Sequence, residues 1–143
     1  MNRLDYMLAV LASADGAEFT PVQVQKLFFL LDRQAPQNLG GPYFDFQPYD
    51  YGPFDSRVYR DLERLSEDGL VVIDRNPNTG WKTYRPTPEG LEKGRGALGT
   101  LDHVVQDYVR RLSAWVRSIS FAELVSAIYD HFPEMKAKSV FRA

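Results

Sequence analysis

The run from Thr20 to Gln34 constrains this chain most. Thr20 suits a helix N-cap, Pro21 suits the first helical position, and Gln23 completes a capping box. Behind them Val24, Leu27, Phe28, Leu30 and Leu31 spread around much of the helix circumference instead of forming one stripe. A helix that is apolar on most sides has to be covered on most sides. Residues 20–34 are therefore predicted to be the central core helix, ended by Ala35-Pro36. Lys26 interrupts this run, and its ammonium is predicted to snorkel to the surface. A contact with the region of Asp50 is the alternative.

The neighbours read as follows. Leu4, Met7, Leu8 and Leu11 fall on one helix face, closed by Ala14-Asp15-Gly16. Residues 36–53 are rich in Pro, Gly and aromatics. Within them Gly40-Gly41-Pro42 marks a turn, and Phe44 and Phe46 alternate with polar residues like a short strand or extended segment. Gly52-Pro53 reads as a second turn before a helix over Asp55–Asp68, with Phe54, Val58, Leu62 and Leu65 on one face and Gly69 as its stop. Leu70–Ile73 and Trp81–Arg85 read as a β-hairpin across Asn76–Gly80, with Trp81 packed below it. Thr87 caps another helix. Leu101, Val104, Val105, Tyr108, Leu112, Trp115 and Val116 are predicted to form the apolar face of a long helix over 98–118. Ser120 to Glu123 is a second capping box, with Ile119 and Leu124 as a hydrophobic staple. The last helix is predicted to bury Phe121, Leu124, Val125 and Ile128 and to stop at Pro133. Lys136, Lys138 and Arg142 make the tail basic, with Val140 and Phe141 as an apolar anchor.

Several function classes drop out. The 143 residues include no Cys and two His, so thiol chemistry and a histidine metal cage are not expected. No metal and no cofactor are predicted. Gly90, Gly94, Gly96 and Gly99 lack the strand-loop-Lys setting of a phosphate loop. Nothing assembles a nucleophile, a base and an oxyanion site, so the chain is not expected to be an enzyme. No run of about 18 apolar residues occurs, and Met1–Tyr6 does not resemble a signal peptide, so a cytoplasmic protein without a membrane partner is predicted. The formal net charge is −2, but residues 1–70 carry 6 basic and 11 acidic side chains, and residues 71–143 carry 11 basic and 8 acidic.

The order helix, helix, helix, hairpin, helices is that of a winged helix-turn-helix. The predicted class is mainly α with a small β-hairpin. Residues 1–98 are the winged-helix-like domain, and 99–143 a C-terminal helical extension that packs back or builds a homodimer. In this reading Asp55–Asp68 is the recognition helix, offering Ser56, Arg57, Arg60 and Arg64 to double-stranded DNA. The wing adds Arg75, Asn76, Asn78 and Lys82 for phosphate or minor groove. The same helix also carries five acidic residues, which can pair with its arginines. The first functional reading is thus a DNA-binding transcriptional regulator. The alternative is a protein-interaction module, with Tyr49, Tyr51 and Phe54 around the Gly52-Pro53 turn as its partner-binding residues.

Val24-Gln25-Lys26-Leu27-Phe28-Phe29-Leu30, Tyr51-Gly52-Pro53-Phe54 and Val58-Tyr59 together resemble the Panacea (SocA-like) antitoxin domain. The likeness covers about residues 20–65. Tyr84-Arg85-Pro86-Thr87-Pro88-Glu89-Gly90 is similar to the stretch after the wing in small winged-helix regulators, with Pro86 in place of Leu. The Tyr-Gly-Pro turn also resembles that of bacterial and phage winged-helix-like proteins. The resemblance implies bacterial or phage regulation, or neutralisation of a toxin partner, and carries no catalytic residue.

Overall fold

In the computed structural model, which describes residues 1–141, α1 (Arg3–Ala12) and α2 (Pro21–Gln34) form the centre. The capping box at Thr20 is present: the Gln23 N–H donates to Thr20 Oγ1 at 3.3 Å, and the Thr20 N–H donates to Gln23 Oε1 at 2.9 Å. Every residue from Val24 to Asp32 is buried, as a central helix requires. Helix α1 is equally enclosed. Tyr6 to Ala12 are buried without a break, not along a single stripe. It packs on α5 (Pro88–Leu98), where Gly94 permits the approach, since a Cβ there would lie 2.4 Å from the Leu8 carbonyl oxygen. The cap predicted for α5 also forms, with Thr87 Oγ1 accepting from the Gly90 N–H at 3.0 Å.

The stretch after α2 differs from the expectation. A short helical turn, α3 (Pro36–Leu39), follows Ala35. Phe44 and Phe46 are buried but belong to no strand. The Asp32 carboxylate replaces a ladder there, accepting the N–H groups of Tyr43 at 3.1 Å and Phe44 at 2.9 Å. Next come β1 (Gln47–Tyr49) and β2 (Gly52–Phe54), paired antiparallel. Gly52-Pro53 is therefore strand, and the chain turns at Asp50-Tyr51. Gly52, at φ +102°, closes the tight reversal. Pro48 stands opposite Pro53. Proline lacks an N–H, so it fits a ladder at a pair that exchanges no hydrogen bonds. Phe54 ends β2 and does not extend the face of the following helix.

Helix α4 (Ser56–Glu67) is capped by Asp55 and buries Val58, Leu62 and Leu65. Gly69 at φ +76° stops it, and the Leu70 N–H returns to the Leu65 carbonyl at 2.9 Å. The expected hairpin is β3 (Val71–Arg75) paired with β4 (Lys82–Pro86). Phe19 adds a bridge to Tyr84 through two hydrogen bonds of 2.8 and 2.9 Å, so the link between α1 and α2 lies beside β4. Trp81 does not pack below the hairpin; it is 59% exposed.

Helices α6 (His103–Ser118) and α7 (Phe121–His131) pack against α2, and a 3-10 turn spans Pro133–Lys136. Helix α6 buries Val109, Ser113 and Val116 and half-buries Val105 and Leu112. The helix starts at His103 and not at 98, so Leu101 lies before it, and Val104 and Trp115, predicted on its face, lie just beyond the buried edge and are exposed. The capping box at Ser120 and Glu123 forms in both directions, at 3.1 and 3.0 Å. Helix α7 buries Leu124, Val125, Ile128 and Tyr129, but Phe121, in its first turn, stays 38% exposed. The Val140 N–H donates to the Asp50 carbonyl at 2.9 Å, and the Phe141 ring lies near Phe121 and Tyr129. Arg142 falls outside the described residues. The architecture is mainly helical with two small antiparallel hairpins. Among the described residues no helix is long and apolar enough to cross a membrane.

Candidate functional site

The residues assigned to DNA stand on α4 and the β3–β4 hairpin. Arg57 grips its own N-cap: Nη2 lies 2.7 Å from Asp55 Oδ2, and Nε lies 3.1 and 3.2 Å from the two carboxylate oxygens. The same carboxylate accepts the N–H groups of Arg57 at 2.9 Å and Asp45 at 2.8 Å. Burial alone would raise the Asp55 pKa, but the Arg57 guanidinium and these two N–H groups outweigh it and hold the carboxyl below its ordinary value. Arg64 pairs with Asp68 at 3.5 Å, and Arg3 pairs with Asp61 at 2.6 Å. Arg60 is exposed and reaches the Ser56 hydroxyl at 3.5 Å. Most charge on this face is thus matched within the helix or by α1.

The wing residues largely hold their own loop. Asn76 Oδ1 accepts from the N–H groups of Asn78 at 2.8 Å and Thr79 at 3.3 Å, and Arg75 donates to the Gly80 carbonyl. Asn78 and Lys82 are exposed.

The residues assigned to a partner divide between two hollows. The larger is a groove of about 580 Å³ between the start of α2, the end of the wing loop and the α6–α7 junction. Tyr51, Trp81 and Phe121 line it, with Val22, Ile119 and Leu124. Tyr51 is 44% exposed, and its ring meets Phe121 edge-on at 5.2 Å. No lining residue carries a formal charge. Ile119 and Leu124, the pair predicted as a staple, form part of this wall.

The smaller hollow is a cavity of about 170 Å³ between α2, the β1–β2 hairpin and α4. Tyr49 and Phe54 line it, their rings 5.0 Å apart, and Tyr59 joins them 5.7 Å from Phe54. Lys26 is here, not at the surface. It is 3% exposed, and its Nζ donates to the Pro53 carbonyl at 3.3 Å. Burial lowers its pKa to about 7. A snorkelling lysine needs a polar side to its helix, and α2 has none at this level. Gln25 is buried beside it and exchanges two hydrogen bonds of 3.0 Å with the Asp55 backbone. Tyr59 donates to the Pro21 carbonyl at 3.3 Å, and burial pushes its phenol up to about 12.

Sequence reasoning missed Trp81 and Phe121 as surface residues and Gln25 as a clamp. The one signal in the sequence for Gln25 and Lys26 is that their helix is apolar on most sides, and this does not fix what either of them meets. Among the described residues no group of three or more His, Asp or Glu is placed to hold a metal ion. Compared with family models, curated proteins and solved structures, the chain matches none. The likeness to Panacea domains rests on the residues alone.

Proposed function

We propose that this chain is a protein-interaction module on a winged-helix-like scaffold, and that the groove at Tyr51, Trp81 and Phe121 receives its partner. The observation that carries this reading is the convergence of three exposed aromatics, from three distant segments, on one groove with no charged lining. Exposed apolar patches of this kind are typical of interaction sites, and aromatic residues dominate binding energy at interfaces. The partner is a protein that offers an uncharged, apolar segment. The element order and the Phe19–Tyr84 bridge support the winged-helix scaffold. Its departure is the long insertion of residues 35–55, where a helix-turn-helix ordinarily has a turn of about 3–4 residues. The Panacea-like residues favour the same reading, with a toxin as the partner class. DNA binding is the second reading, favoured by exposed Arg60, Asn78 and Lys82. It would require Arg57 to leave Asp55 or to serve only through phosphate contacts. A homodimer through α6 would use its outer face at Val104 and Trp115.

Peptide selection from a displayed random library, beside DNA anisotropy over a salt series, tests this reading. A Trp115→Phe background leaves Trp81 as the only tryptophan reporter. Apolar peptides that shift Trp81 emission are expected, weakened at least about tenfold by Phe121→Ser and unchanged by Arg60→Glu. Light scattering on the parent protein and on Val104→Glu reads the dimer. Salt-steep or sequence-selective DNA binding that Arg60→Glu removes, with no peptide selected, would overturn the proposal.

A further inference from the structure

Lysine is almost never fully buried unless it is paired. Lys26 is buried, and none of the ion pairs among the described residues includes it. Among the described residues its one hydrogen bond goes to a neutral carbonyl, that of Pro53. An ammonium has three donors, so two remain. Of the other polar groups around the cavity, Gln25 is committed to the Asp55 backbone and the Tyr59 hydroxyl to Pro21, while Asp50 lines the cavity but forms no ion pair with Lys26. The hairpin runs beside the amine, since a Cβ built on Gly52 would stand in ordinary contact with Nζ at 3.7 Å. The result is an amine without an ion-pair partner in a largely aromatic cavity of about 170 Å³. An anion with a planar or apolar body complements both features: it supplies the missing counter-charge and fills the space between the rings.

We propose that this cavity binds a small organic carboxylate, whose anionic group pairs with Lys26 Nζ while Tyr49, Phe54 and Tyr59 enclose its body. The proposal is independent of the partner groove. Burial leaves the empty-site amine titrating at about 7, so a bound carboxylate draws a proton onto Lys26 as the pH rises above that value. The titratable groups facing Lys26 from the packed elements are Tyr49, Asp50 and Tyr51 of the hairpin, Tyr59 of α4 and Tyr129 of α7. Measurements at pH 6 and pH 9 bracket the Lys26 amine.

The test is an amide-resolved NMR titration with acetate, benzoate and phenylacetate at pH 6 and pH 9, each beside its neutral amide. At least one acid should shift the resonances of Lys26, Gly52 and Tyr59 and bind roughly 100-fold more weakly at pH 9 than at pH 6. Its amide should bind at least about tenfold more weakly at pH 6. Lys26→Met should abolish the acid's advantage over the amide. Equal affinity at both pH values, equal affinity of acid and amide, or no binding by any of the three acids would overturn the proposal. The pH and amide arms use the unaltered protein, so they stand even if Lys26→Met does not fold.

Discussion

The two hairpins are separate two-stranded antiparallel ladders and differ in what holds them. The β3–β4 hairpin pairs five residues on each strand and makes its own turn, with the Asn76 side chain accepting two loop N–H groups and Gly80 at φ +74°. The β1–β2 hairpin pairs three residues and has a proline in each strand. Its support comes from elsewhere. Lys26 binds Pro53, Gln25 binds Asp55 just beyond the strand, Val140 binds the Asp50 carbonyl, and Tyr51 meets Phe121. A short isolated hairpin is at best marginal in water. The outer hairpin is thus encoded locally and left open at its tip. The inner one is made by its surroundings, and in return it walls both hollows.

The largest expected effect breaks this contrast at Lys26. Its amine titrates at about 7 when folded and near 10.4 when unfolded. Between these values the unfolded chain binds the extra proton, so stability rises with pH. Urea unfolding should show a gain of roughly 3 kcal/mol from pH 7 to pH 9.5. Lys26→Met should be flat across that window, and a flat wild-type profile would refute the buried, unpaired amine. Further up the pH scale, Tyr6, Tyr59 and Tyr84 should bend the curve down, because burial raises their pKa values and the folded state then holds the extra protons.

Next in size is Gln25→Leu. It strips both hydrogen bonds from the buried Asp55 backbone and should cost about 2 kcal/mol in the same unfolding assay. A neutral result would mean that the inner hairpin and the start of α4 need no clamp from α2. The smallest effect belongs to the outer turn. Asn76→Ala removes bonds confined to an exposed loop and should cost about 0.5 kcal/mol. A loss as large as that of Gln25→Leu would erase the distinction between the hairpins.

The same distinction governs what could be read from the residues. The capping boxes at Thr20 and Ser120, the stop at Gly69 and the outer hairpin were legible, because each rests on groups within a few positions of one another. The inner hairpin was not. Gly52-Pro53 carries a turn signature, but pairing with Gln47–Tyr49 and contact with α2 draw it into a strand. Of the partner residues, Tyr51 at the turn lines both hollows, whereas Tyr49 and Phe54, which share one face of the short ladder, line the one at Lys26. Trp81 and Phe121 looked like core residues by type, and nothing adjacent to them in the chain marks them as exposed.

Helix positions, their caps and the enclosed character of α2 follow from nearest neighbours, because hydrogen bonds between residues i and i+3 or i+4 and the period of apolar side chains act over one or two turns. The fate of Lys26 and the assembly of the aromatic groove needed the tertiary structure. Lys26 meets Pro53 at a separation of 27 residues, and the groove gathers side chains from positions 20 to 124. Burial of a charge and convergence of surface rings depend on which distant segments pack together, and no local pattern along the chain carries that information.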